Sequence, residues 1–351
     1  RVVYMRFAHH EPLLQPQEGV TIHCLDSGEG FESFSTQVHT IITSEGQGTF
    51  YVFDSLSDLL SAWATDLMIG NFFLITCPYL FELNTVAYFA LVRCRHSYAT
   101  VARIRETTQV LLDTYNCDNN FYIQPLKVWK RYSPTMFLPH LEKEGAFIPV
   151  TSSIDASRLF THMCRFTDSS RRNLDYWDRL FMEAEELNAP GADPQRRDEM
   201  ISQLCDIMIT RDPRMAALAK KHLGLEDMLD IKARLIGSGF IGGKTVGLLL
   251  SRKLLALDDA QDWQRYLEPH DSFYIGSDVF YSYLVNNGCW KLRMEQKTPE
   301  GYFSVAPVLA DRMLHGSFPD DIKEHFYQMV EYFGQSPIIV RSSSLLEDSF
   351  G

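Results

Sequence analysis

The 351-residue sequence has no C-x-x-C pair, no uninterrupted apolar run of membrane length and no excess of basic charge. Its cysteines, Cys24, Cys77, Cys94, Cys117, Cys164, Cys205 and Cys289, are widely spaced and odd in number. That pattern argues against a disulfide framework and a zinc site, and fits a reducing, cytoplasmic setting. A formal net charge of −12 gives a field that repels nucleic acid and anionic lipid. Neither nucleic acid nor membrane is therefore expected as a partner. The longest candidate span, residues 72–92, is interrupted by Pro78, Glu82 and Asn84. A Glu near a bilayer centre costs roughly 2 kcal/mol or more, so this run reads as a buried strand followed by a helix. The chain opens on Arg1 rather than Met, without a charged-then-apolar leader, and closes on Gly351 inside a motif. Both ends are expected to be truncation points.

What is present in the first 150 residues is an alternation of short apolar runs with helical patterns, the mark of an α/β layer fold with a largely parallel sheet. Residues 2–7 and 20–24 read as strands. Residues 31–43 carry Phe34, Val38, Ile41 and Ile42 at helical spacing. Residues 50–54 form an apolar strand that ends in Asp54, with Ser55 and Ser57 placed to cap a helix from near Asp58. A terminal Asp of this kind has the form of a Walker B acid, which holds magnesium or its water at the carboxyl edge of a nucleotide-binding sheet. Capping of the following helix is the plainer alternative for Asp54. The next strand is expected at 72–76, then a helix with Leu80, Leu83, Ala87 and Leu91 on one face, then a closing hairpin at 110–115 and 121–129.

This region resembles, loosely and over about residues 1–140, a degenerate, regulatory RecA-like domain. The resemblance rests on the strand and helix VFDSLSDLLSAW, and any Walker A motif would lie before Arg1. His9 and His10 point to opposite sides of a strand and are not expected to share a metal. Lys127, Lys130 and Arg131, with Trp129 among them, read more simply as a solvated edge face than as an anion grip. From 152 to 230 the pattern is helical, at 155–166, 173–187 and 195–209, with a breaker at 188–194. This stretch is assigned no chemistry beyond joining two nucleotide-type domains.

The strongest chemical signal is Gly237-Ser238-Gly239-Phe240-Ile241-Gly242-Gly243-Lys244-Thr245. It contains G-x-G-x-x-G, but the preceding residues have helical rather than strand character, which weakens a dinucleotide reading. It also falls one residue out of register with a P-loop, whose cradle of N–H groups depends on a fixed loop length. What remains is a Gly-Gly-Lys at the start of a Leu-rich helix over 245–256, where N–H groups, the helix dipole and the Lys244 ammonium all favour a phosphate.

Further on, a strand at 273–275 leads to Ser277-Asp278, read as a capping pair for a helix over 279–285. Pro319 starts a helix with Ile322, Phe326, Met329, Val330 and Phe333 on one face, stopped by Gly334. An apolar strand over 337–340 then delivers Arg341, three hydroxyls, Glu347, Asp348 and Gly351. The guanidinium fork and the hydroxyls suit phosphate oxygens.

IGGKTVGLLL, FYIGSDVFYSYLVNNG and PIIVRSSSLLEDSFG together resemble the N-terminal ATP-grasp region of phosphoenolpyruvate synthases and pyruvate phosphate dikinases, over roughly 232–351. The resemblance implies that Lys244 and Arg341 contact ATP phosphates, with Gly242, Gly243, Ser342, Ser343 and Gly351 around them and Glu347 and Asp348 behind. It also implies Mg2+ whose ligands lie mostly beyond 351. The expected domains are RecA-like α/β (1–145), helical connector (146–230) and the truncated start of the ATP-binding domain (231–351). The expected function is that of an ATP-dependent phosphotransferase that passes a phosphoryl group through a histidine to pyruvate or a similar acceptor, the fragment alone being inactive. The alternative is a non-catalytic nucleotide-binding regulatory module.

Overall fold

A computed structural model of the chain describes residues 1–8, 10–164, 174–268 and 271–342. Its first layer is a four-stranded sheet of β1 (Val2–Arg6), β2 (Val20–Cys24), β3 (Phe50–Asp54) and β4 (Val86–Phe89), in the order β2-β1-β3-β4. All pairs are parallel, with Val2 level with Val20 and Phe50, and Phe50 level with Val86. Helix α1 (Phe31–Glu45) crosses from β2 to β3 and buries Phe34, Val38 and Ile42 at the expected spacing.

The order of elements expected over 72–92 is reversed. After the short helix α2 (Leu60–Trp63), residues 66–82 form helix α3 (Asp66–Glu82), and the strand is β4. Thr65 caps α3, its hydroxyl accepting from Leu67 N–H at 3.2 Å. The helix is apolar on all sides because it lies between the sheet and helices α4 (Tyr98–Thr107) and α11 (Ser277–Asn286). A helix buried all round shows no polar stripe, so its sequence has the look of a buried strand. Pro78 sits inside it and costs one helical hydrogen bond.

The expected hairpin exists, as β5 (Val110–Cys117) and β6 (Asn120–Val128), turned by Asp118 and Asn119 with both φ positive, as tight two-residue hairpins require. It does not join the parallel sheet. With β7 (His140–Lys143) and β8 (Ala146–Pro149) it builds a separate antiparallel sheet, order β5-β6-β7-β8, against which Leu159 of α5 (Ser153–Cys164) packs.

Helices α6 (Tyr176–Leu187), α7 (Pro194–Leu204), α8 (Pro213–His222) and α9 (Leu225–Ala233) follow. Asp175, Asp193 and Asp212 cap the first three, and Pro opens the first turn of α7 and α8. Their apolar faces close a second core that also takes in Val246 and Leu250 from α10 (Gly243–Ala256) and Ile241 just before it. The last region holds a two-stranded parallel sheet of β9 (Leu235–Ile236) and β10 (Tyr274–Ile275). It then holds α12 (Trp290–Gln296), α13 (Gly301–Ser304), α14 (Ala306–His315) and α15 (Asp320–Phe333). Trp290 leaves this region and enters the first core, its ring 5.2 Å from that of Phe31.

The apolar strand expected at 337–340 is absent. These residues have no strand pairing, and Ile339 and Val340 are 88% and 84% exposed. Among the described residues nothing lies alongside them to complete a ladder, and apolar β-propensity alone does not make a strand.

Candidate functional site

Residues 237–242 link β9 to α10, and Gly237, Gly239 and Gly242 all adopt positive φ. That left-handed backbone is open to glycine and strained for other residues. A strand of two residues therefore precedes the loop, where the sequence showed only the helix that ends at Ala233.

The loop is held from the start of α11. Asp278 accepts both the N–H and the hydroxyl of Ser238, each at 2.7 Å. Ser277 accepts the Phe240 N–H at 3.1 Å, while its own N–H donates to the Phe240 carbonyl at 3.0 Å. On the opposite side, Ile241 N–H donates to the carbonyl of Met208 at 3.0 Å. Ser277 and Asp278 have the sequence of a capping pair, yet neither caps α11, whose N-cap is Gly276 with no side-chain bond. They clamp the glycine loop instead. Burial pushes the Asp278 carboxyl up to about 6, against the lowering effect of the Ser238 bonds.

Gly242 is the N-cap of α10, Gly243 its first residue and Lys244 its second, so the ammonium rises from the first helical turn and is exposed. Lys244 Nζ lies 3.5 Å from Ser342 Oγ, the long limit of a hydrogen bond. The two motifs, 98 positions apart, are thus adjacent at this point. Arg341 is exposed beside it. Ser343, Glu347, Asp348 and Gly351 lie outside the described residues.

Asp54 stands at the carboxyl end of the second innermost strand of the parallel sheet and is buried. It does not cap the next helix. Its carboxylate accepts from the Tyr4 hydroxyl and meets His10 Nε2 at 3.1 Å. His9 lies outside the described residues. Among the described residues, no three His, Cys, Asp or Glu side chains converge on a metal position, so the magnesium expected with ATP has no ligand set there. Lys127 serves neither of the roles considered for it: its ammonium donates to the carbonyls of Arg105 and Glu106, closing the end of α4. Lys130 lies over the Trp129 ring at 4.2 Å, and Arg131 is exposed.

Two arrangements escaped the sequence reading. Ser57 Oγ is 2.6 Å from His96 Nε2, and His96 Nδ1 is 3.3 Å from Asp66 Oδ1. All three are buried, and Ser57 already accepts the Val92 N–H at 2.7 Å, so this network pins the 90–97 loop rather than facing a substrate. The second is Arg211, whose guanidinium stacks 4.7 Å over the Phe240 ring of the glycine loop. Its sequence neighbourhood, Arg-Asp-Pro, signals only a helix start.

Among the described residues no helix is long and apolar enough to cross a membrane. Comparison with curated proteins and with solved structures returned no match. A family model described as pyruvate phosphate dikinase, AMP/ATP-binding domain, matches residues 238–351, about a third of the chain. Residues 238–242 of the glycine loop, the Lys244 helix and the Arg341 segment all fall within that match, so this part of the chain is similar to a pyruvate phosphate dikinase AMP/ATP-binding domain.

Proposed function

We propose that this chain is the ATP-binding part of a phosphotransferase of the phosphoenolpyruvate synthase and pyruvate phosphate dikinase type. In this reading Lys244 and Arg341 grip the ATP phosphates, with Gly242, Gly243 and the hydroxyls of Ser342 and Ser343 filling the remaining acceptor positions. The single observation that carries it is the approach of Lys244 to Ser342, next to Arg341, inside the matched region. An ammonium in the first turn of α10 adds to the helix dipole and to the N–H groups there, and a guanidinium offers a two-pronged donor to phosphate oxygens. Positioning and charge neutralisation are what phosphoryl transfer chiefly asks of a protein.

In the complete protein the phosphoryl group would pass through a histidine to pyruvate or a similar acceptor, in the cytosol. Cys24, Cys77, Cys117, Cys205 and Cys289 are free thiols, in keeping with a reducing compartment. Residues 231–351 then begin an ATP-grasp domain, and the parallel sheet ending in Asp54 is a degenerate RecA-like domain with a regulatory role.

The reading is tested by titrating ATP into the chain and into Lys244→Ala and Arg341→Ala. Loss of about tenfold or more in affinity in each variant is expected, the scale of one charge-assisted phosphate contact. Unchanged affinity in both would remove the proposed grip. In the complete protein, ATP-dependent labelling of a histidine that disappears in Arg341→Ala supports transfer. Absence of labelling in the unsubstituted protein would leave a nucleotide-binding module.

A further inference from the structure

A cavity of about 840 Å³ lies away from the Lys244 site. It opens between the edge strand β2, the outward face of α1 and three side chains from later in the chain: Arg211, Tyr281 and Lys297. Its volume is that of a small-molecule pocket, within the roughly 300–1,000 Å³ such sites occupy.

The charges along its walls are unevenly matched. Glu32 is neutralised twice, by Arg293 at 3.1 Å and Lys297 at 2.9 Å. Arg211 makes no hydrogen bond or ion pair with any described residue. It is held in place by its stack on Phe240 and by the close approach of Gly30, where a Cβ would come within 2.0 Å of Nη1. Arg211 is exposed, and a guanidinium stacked on an aromatic ring with its donors not engaged by other side chains or carbonyls can receive an oxyanion. Just before α1, Glu29 accepts from the Ser33 hydroxyl at 2.7 Å and from the Gln37 amide, both on the same carboxylate oxygen. The other oxygen has no partner among the described residues, and no cation lies within ion-pairing distance of it. A lone carboxylate flanked by hydroxyl and amide groups accepts from the hydroxyls of a polyol. Ile22, Leu25 and Ile41 supply apolar surface for the carbon skeleton.

We propose that this cavity binds a phosphorylated polyol of about nucleotide size, its phosphate on Arg211 and its hydroxyls on Glu29 and the α1 wall. The site does not depend on the reading of Lys244 and Arg341. Arg211, which rests on Phe240, is the link between an occupant here and the glycine loop.

Calorimetric titration of the chain with ribose 5-phosphate and with inorganic phosphate tests the assignment. Ribose 5-phosphate is expected to bind, and more tightly than phosphate alone. Arg211→Gln should weaken it about tenfold or more, the scale of one lost charge-assisted bond. Thr40→Trp, which fills the cavity from an exposed helical position, should abolish binding without touching Arg211. Lys244→Ala should bind as the unsubstituted chain does. The proposal is overturned if neither compound binds at millimolar concentration, or if phosphate binds as tightly as the sugar phosphate. It is equally overturned if folded Arg211→Gln and Thr40→Trp retain full affinity, or if only Lys244→Ala loses binding, which would return the ligand to the ATP site.

Discussion

The Asp278 carboxylate holds Ser238 at two points 2.7 Å long, one on its backbone N–H and one on its hydroxyl, across 40 positions of sequence. That pairing sets the path of the glycine loop before Lys244. Removing the carboxylate leaves a buried N–H and a buried hydroxyl without an acceptor, at about 1–3 kcal/mol for each. Asp278→Ala is therefore expected to lower the urea midpoint clearly and to weaken ATP binding. Unchanged midpoint and unchanged ATP affinity would show that the loop holds its path without this acid.

Acidity should stabilise the fold near neutrality. Asp175 and Asp278 both have their carboxyl pKa pushed up to about 6 by burial, above the unfolded value near 4. The folded state then holds protons that the unfolded state has released. The stabilisation is complete below about pH 4 and is lost as pH rises through about 6. Comparing urea midpoints between pH 5 and 7.5, the unsubstituted chain should lose more stability than Asp175→Asn over the same interval. Parallel profiles for the two proteins would rule out a contribution from Asp175.

Two glycines flanking the same site should respond in opposite directions. At Gly276 a Cβ would lie 2.0 Å from the Ser238 carbonyl oxygen, a backbone atom that cannot swing away. Gly276→Ala is expected to cost about 1–3 kcal/mol or more by forced displacement. At Gly247, inside α10, nothing lies within 4 Å of the added carbon. Gly247→Ala should stabilise by roughly 0.5–1 kcal/mol through helix propensity. Thermal melts of the pair decide the matter, and equal shifts of the same sign would contradict it.

Trp290 is 5% exposed and lies against Phe31 at the N-terminal end of α1. Trp290→Ala should cost about 3–5 kcal/mol, as large-to-small changes in cores do. It should also lower the protection of α1 amides in hydrogen exchange, because the cavity opens on that helix. A loss of stability confined to α12 would show that the two regions are not packed as one.

Much of this architecture could be read from residue pattern alone, and the failures share a cause. Strands β1, β2 and β3 and helix α1 announce themselves through local periodicity. Helix α3 does not, because burial on every side erases its period, and β4 was lost with it. Residues 337–340 have strand composition without a strand neighbour. At the site, Gly242, Gly243 and Lys244 stood out because their chemistry is local. Asp278 looked like a cap because its true partner, Ser238, is 40 residues away, and Arg211 gave no sign because Phe240 and Gly30 give it meaning only once the chain has folded. Lys127 drew notice for its charge while its work is to close a helix end.

The ring contacts around Phe31 also bear on how the molecule can be divided. Trp63 from the sheet side and Tyr281 and Trp290 from the matched region all pack on that one ring, at 5.4, 5.0 and 5.2 Å. Excising residues 238–351 would strand Tyr281 and Trp290 in water and leave Phe31 bare on the other piece, giving each half a sticky apolar scar. A dissection that keeps both sides of this aromatic joint together is therefore expected to leave less apolar surface exposed than a cut at residue 238.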